Sequence, residues 1–285
     1  MRWQMGRRST NVEDRRGMRG RGIAGLGGGA ILILALFALL TGRNPVELLE
    51  QVTPTESMVG PSVSSEQFSA EEQELAEFSS VVLADTEDTW RVLFEEMGRV
   101  YQEPRLVLFT GAVQSACGFA QSAVGPFYCP PDQKVYLDLS FFEDLRARHG
   151  VSGDFAQAYV IAHEIGHHVQ ELLGIIDQAD ALRARADQAE ANEISVRLEL
   201  QADFFAGVWA HHAQRARQIL EEGDLEEALN AASQIGDDRL QMKSQGYVVP
   251  DAFTHGTAAQ RARWFLRGFK TVDISQGDTF SAPSL

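Results

Sequence analysis

Apolar residues recur at Trp90, Leu93, Phe94, Met97 and Tyr101, the spacing of one helical face, and predict a helix over about 85 to 101. Upstream, Ser69 followed by Glu72 in "SAEEQELAEF" marks an earlier possible helix start. Two runs then change period: "RLVLFTG" at 105 to 111, and "KVYLDLSFF" at 134 to 142, where Val135, Leu137 and Leu139 alternate with Tyr136 and Asp138. Both read as strands. "VSGDFAQAYVIAHEIGHHVQELLG" returns to the helical pattern, with Asp154 and Gln157 spaced as an N-terminal capping pair and Gly174 as the stop. Residues 177 to 221 are rich in Ala, Glu, Gln, Arg and Leu and predict one long or two shorter helices. "DLEEALNAASQI" and "TAAQRARWFLRGF" add two more, the latter capped by Thr257. No repeat of domain-building length is present. The fold class expected is α+β, mainly helical, with a small sheet.

One stretch fits no soluble pattern. "IAGLGGGAILILALFALL", Ile23 to Leu40, has 18 residues without a charge, and as a helix it would span ~27 Å, enough to cross a membrane. Its glycines make a poor start for a soluble helix, and it carries no amphipathic stripe. The expected organisation is therefore a basic cytoplasmic segment (1–22), a transmembrane helix (23–40), a flexible polar and acidic linker (41–79), a folded domain (80–272) and a C-terminal tail (273–285). The positive-inside rule would leave the N-terminus in the cytoplasm and the domain on the periplasmic or extracytoplasmic face.

Charge and cysteine refine this picture. The 285-residue chain has a formal net charge of −15, yet its first 22 residues carry seven Arg against Glu13 and Asp14. The body is thus strongly acidic and would repel phosphate backbones, so no nucleic acid is expected as a partner. Cys117 and Cys129 are the only cysteines. An oxidising compartment lets them pair, and the intervening Gly and Pro let the chain turn back, so a disulfide is expected.

The chemistry concentrates in "AHEIGHHVQ". On a helix His163 and His167 are four residues apart and face the same way, with Glu164 about 100° round the axis. Two imidazoles suit zinc, and a carboxylate beside an open coordination position can act as general base toward a zinc-activated water. A catalytic zinc needs a third protein ligand. Glu199, in "RLELQADFFAG", is the candidate, and Asp203 four residues on can accept the free ring N–H of a ligating histidine. His168 reads as a supporting or surface residue.

The run "CGFAQSAVGPFYCPPDQKVYLDLSFF…AHEIGHHVQ…ELQADFFAGVWAHHA…FTHGTAAQRARWF" resembles the bacterial neutral zinc metallopeptidase family, and "HEIGHH" with "ELQAD" resembles the gluzincins. The resemblance covers about residues 80 to 270. It implies a zincin-like domain, one Zn²⁺ per chain and a peptide or protein substrate. It also implies a substrate extended along an edge strand, for which "KVYLDLSFF" is the candidate, an internal strand being the alternative reading of that run. His255, just before a helix cap and matching the family pattern, is a candidate oxyanion donor and the second catalytic residue after Glu164. Tyr247 and Tyr136 are weaker candidates for the same role. The function expected is a membrane-anchored zinc metallopeptidase. The alternative is a zinc-stabilised binding or assembly protein of the cell envelope that cuts nothing.

Overall fold

The computed structural model describes residues 1–17, 68–271 and 273–285. Two compact units divide the chain, Met1–Arg15 with Ser69–Leu285, and Arg16–Phe68. Of the second unit only its two ends are described, and there the Arg16 guanidinium lies 4.0 Å over the Phe68 ring. The apolar stretch Ile23–Leu40 and most of the expected linker lie outside the described residues. Among the described residues, no helix is long and apolar enough to cross a membrane.

The first unit is mainly helical with a small sheet. Strand β1 (Val12–Asp14) is followed by helix α1 (Ala70–Glu96), β2 (Arg105–Phe109), the β3 (Ala112–Ser115) and β4 (Gly118–Gln121) hairpin, β5 (Phe127–Cys129) and β6 (Lys134–Asp138). Then come α2 (Ser140–His149), α3 (Asp154–Leu172), α4 (Ile175–Arg183), α5 (Gln188–Arg217), α6 (Asp224–Gln234), α7 (Asp237–Gln245) and α8 (Ala258–Lys270). The sheet order is β1-β2-β6-β5, with β1, β2 and β6 parallel and β5 antiparallel to β6. Burial on both faces explains the near-continuous apolar runs of β2 and β6.

Several expectations change here. Helix α1 starts at Ala70, where the Ser69 side chain accepts from the Glu72 N–H, so the expected linker ends ten residues early. Ala76, Phe78 and Ser79 on that extra length are buried, which holds it in the fold. Residues 1–15 are not a separate basic segment: Trp3 is buried edge-on against Phe78, and β1 pairs with β2 in the register Val12↔Leu106. The C-terminal residues pack as well, since the Gln201 amide donates to the Gly277 carbonyl and Thr279 exchanges hydrogen bonds with Arg197. Asp154 does not cap α3. Its carboxylate is held by the Met1 ammonium at 2.5 Å, Gly153 is the cap residue, and the Phe155 N–H donates instead to Glu227.

"KVYLDLSFF" forms an internal strand only as far as Asp138, with β2 on one side and β5 on the other. The edge strands are β1 and, on the side of the metal helix, β5. The Cys117–Cys129 disulfide, present as expected, ties β5 to the end of the β3–β4 hairpin.

Helix packing sets the site. Gly166 on α3 lies against α5, where a Cβ would meet the Ala202 carbonyl oxygen at 2.8 Å. Gly207 on α5 and Gly268 on α8 meet similarly, a Cβ at either falling 2.0 Å from a carbonyl oxygen of the other helix. Absent side chains thus bring α5 against both α3 and α8 at backbone contact.

Candidate metal centre

The close α3–α5 crossing carries Glu199 to the two histidines of the motif. His163 Nε2 lies 3.1 Å from Glu199 Oε2, and His167 Nε2 lies 3.4 Å from Glu199 Oε1. Four-coordinate zinc with bonds of about 2.0–2.2 Å needs its ligand atoms roughly 3.2–3.6 Å apart. The three donor atoms all fall within 4.8 Å of one another, so the donor set and its spacing fit one zinc ion.

Each imidazole is turned by its other nitrogen. His163 Nδ1 donates to Asp203 Oδ1 at 2.9 Å. The Gln170 amide nitrogen donates to the Leu198 carbonyl and to Gln201, which leaves its oxygen to accept from His167 Nδ1 at 2.9 Å. Both Nε2 atoms therefore face Glu199, the tautomer a metal requires. Gln201 continues the chain to the Gly277 carbonyl, so the C-terminal segment supports His167 at two removes.

Behind Asp203 stands a group that the sequence reading missed. The fully buried Arg261 of α8 donates through Nε to Asp203 Oδ2 at 2.8 Å and through Nη2 to Oδ1 at 3.0 Å. Tyr159 donates to the same Oδ1 at 2.5 Å. Burial opposes ionisation of Asp203, but Arg261 and His163 outweigh it and hold the carboxyl below its usual range. Burial likewise opposes charge on His163, yet Asp203 and Glu199 raise it to about 10. Burial would keep Glu199 neutral, but His167 and His163 hold it well below the usual carboxylate range. The carboxylates thus favour protons on the imidazoles, and a dication bound at the same donors would take the place of those protons. Arg261 had a signal in its favour, six residues after His255 on the helix with the apolar face of Trp264 and Phe265, but a buried guanidinium is too rare to be expected from pattern alone.

The metal cluster opens on a cleft of about 580 Å³. Glu164 lines it, as do Phe127 and Tyr128 of edge strand β5 and His255. Asp237, at the start of α7, accepts the N–H groups of Thr254, His255 and Gly256 and faces His255 Nδ1 at 3.3 Å, so it fixes the His255 loop over the cleft. That hydrogen bond outweighs partial burial and raises the His255 pKa.

The remaining candidates fall elsewhere. His168 is fully buried. Its Nε2 donates to the Gln102 carbonyl at 2.6 Å and its Nδ1 accepts from Tyr128 at 2.9 Å, while burial lowers its pKa to about 4. It is a neutral pin between the metal helix and β5. Tyr136 stacks on Phe127 and donates to Asp132, and Tyr247 is 60% exposed; neither lines the cleft.

A family profile described as "Putative neutral zinc metallopeptidase" matches residues 1–280. The chain belongs to that family. It is 53% identical over 290 residues to "Uncharacterized protein YpfJ" of Escherichia coli K12, covering 98% of this chain and 99% of the relative. It is 40% identical over 262 residues to "Uncharacterized protein Rv2575" of Mycobacterium tuberculosis, covering 87% and 86%. No solved structure matches it. The family profile reaches back to residue 1, so it takes in the strand and the buried tryptophan that precede the apolar stretch.

Proposed function

We propose that the protein is a zinc metallopeptidase that binds an extended peptide along β5 and hydrolyses it beside His163, His167 and Glu199. The observation that carries this reading is the convergence of those three donors at the floor of a cleft that Glu164 also lines. His163, His167 and Glu199 would hold the ion, and Asp203 and Gln170 orient its histidines. When bound, zinc supplies Lewis acidity that activates water and polarises a carbonyl.

The chain's own groups supply the rest. The Glu164 carboxylate takes the proton of the attacking water and returns it to the leaving amine. His255, charged through Asp237, donates a hydrogen bond to the oxygen that becomes negative. β5 offers backbone hydrogen bonds that hold a peptide without reading its sequence, and its antiparallel place at the edge of a parallel sheet, beside the metal helix, supports a zincin-like arrangement. Attachment to a membrane through Ile23–Leu40 belongs to the same reading.

The competing reading, a zinc-stabilised binding or assembly protein, has no need of a carboxylate at the position of Glu164. Hydrolysis of a quenched fluorogenic peptide library by the zinc-loaded protein, compared with Glu164→Gln, separates the two. Turnover that disappears in Glu164→Gln while zinc content stays supports the peptidase; equal turnover in both, or none in either, removes it.

A further inference from the structure

The segment that precedes the apolar stretch is built into the domain that follows it. Asn11 to Asp14 run beside β2: the Leu106 N–H donates to the Asn11 carbonyl at 2.9 Å, and the Arg15 N–H to the Leu108 carbonyl at 2.8 Å. Side chains add to the strand pairing. Buried Glu87 of α1 receives Ser9 at 2.6 Å, Arg7 at 2.8 Å and Asn11 at 2.9 Å. Glu13 receives Lys134 at 2.9 Å and Arg105 at 3.2 Å. Lys134 opens β6 opposite Cys129 of β5, so the N-terminal strand braces the sheet that ends at the cleft.

This packing bears on membrane topology. Hydrogen-bonded strands lie about 4.8 Å apart, whereas a single crossing separates its two ends by a hydrocarbon core of about 30 Å. Residues 1–15 and 69–285 therefore cannot form one body across a bilayer. The intervening segment 16–68 holds one uncharged apolar stretch of spanning length, Ile23–Leu40, so a second crossing back has no sequence to make it. The positive-inside argument, taken alone, puts the arginine-rich end and the domain on opposite faces. The strand pairing demands that they be on the same one.

We propose that residues 1–15 and the metal-site domain share one compartment, on the same face of any membrane the protein meets. The charge bias of seven Arg in the first 22 residues then acts otherwise than as a topology signal. Three of them, Arg2, Arg7 and Arg8, pair with acids of the domain, Glu221, Glu87 and Glu77. This inference depends on the strand pairing and not on the proposed chemistry.

Sidedness labelling tests it in the full-length chain. Met5 is fully exposed and Val100 is 86% exposed, so Met5→Cys and Val100→Cys leave the packing intact. Each variant is treated with a membrane-impermeant maleimide in intact spheroplasts and again after lysis, with the parent protein setting the background. The expected result is that both sites label together, either before lysis or only after it. Labelling of one site before lysis and of the other only afterwards places them on opposite faces and overturns the proposal.

Discussion

Arg261 and Asp203 form a two-pronged ion pair, Nε to Oδ2 at 2.8 Å and Nη2 to Oδ1 at 3.0 Å, with both side chains fully enclosed. A carboxylate without that partner would be an uncompensated buried charge, and the histidine it orients would lose its anchor. Removing one member of such a pair costs about 3–5 kcal/mol, and loss of a group that orients a metal ligand weakens metal binding by about 10–100-fold. Arg261→Met should therefore lower the melting temperature and the zinc affinity together. Arg261→Lys should recover part of the stability, because a lysine supplies charge but not the fork. Thermal denaturation and competition with a zinc chelator measure the two effects; an unchanged affinity in Arg261→Met would detach Arg261 from the metal centre.

Gly166→Ala separates helix propensity from site geometry. Alanine favours an isolated helix by about 1 kcal/mol. Here its Cβ would meet the Ala202 carbonyl at 2.8 Å, and overpacking of this kind costs about 1–3 kcal/mol. The helices must part, which draws Glu199 away from His163 and His167. The variant should fold with reduced stability and bind zinc markedly less tightly than the parent, as isothermal titration would show.

Glu13 gives the docked N-terminal strand an acid sensitivity. Burial opposes its ionisation, but Lys134, Arg15 and Arg105 outweigh that and lower its pKa from 4.5 to about 2. A depressed folded pKa contributes stability that is complete above the ordinary value and is lost as pH falls through the folded one. Amide exchange at Leu106 and Leu108 should hence accelerate, relative to the core of α5, as pH drops from 4.5 toward 2. In Glu13→Gln that pH-dependent excess should be absent.

His255 should titrate above 6.5 in the zinc-free protein, because Asp237 stabilises its charged form. The sign is opposite to that of Glu13: the contribution to stability is present below 6.5 and disappears as pH rises through the folded value. NMR of the imidazole protons reads the midpoint directly. Asp237→Asn should bring it back toward the ordinary histidine value, and an unmoved midpoint would mean that another group sets it.

The helices, and the pairing of His163 with His167 on one of them, were legible because apolar period and cap chemistry agree over long stretches. Glu199 was reachable for a similar reason, a carboxylate inside the most apolar part of its helix, and the structure sets it beside both histidines. Strand order was not legible. β5 is three residues long, and nothing in "FYC" distinguishes an edge from a turn, so the edge role fell on the longer β6 pattern. The N-terminal segment misled for a different reason: its arginines read as a topology signal, while Trp3 and Val12, two isolated apolar residues, gave no periodicity. Arg261 and Gln170 were hidden because their roles depend on long-range contacts, across 58 and 31 residues, that no local pattern encodes.

The most direct test of the central claim is zinc content per chain, measured by atomic absorption on the full-length protein and on Glu199→Ala after zinc loading and dialysis. Close to one zinc per chain in the parent, falling steeply in a Glu199→Ala variant whose circular dichroism is unchanged, is the result the three-donor site predicts. A folded parent that retains no zinc, or a Glu199→Ala variant that retains as much as the parent, would contradict it.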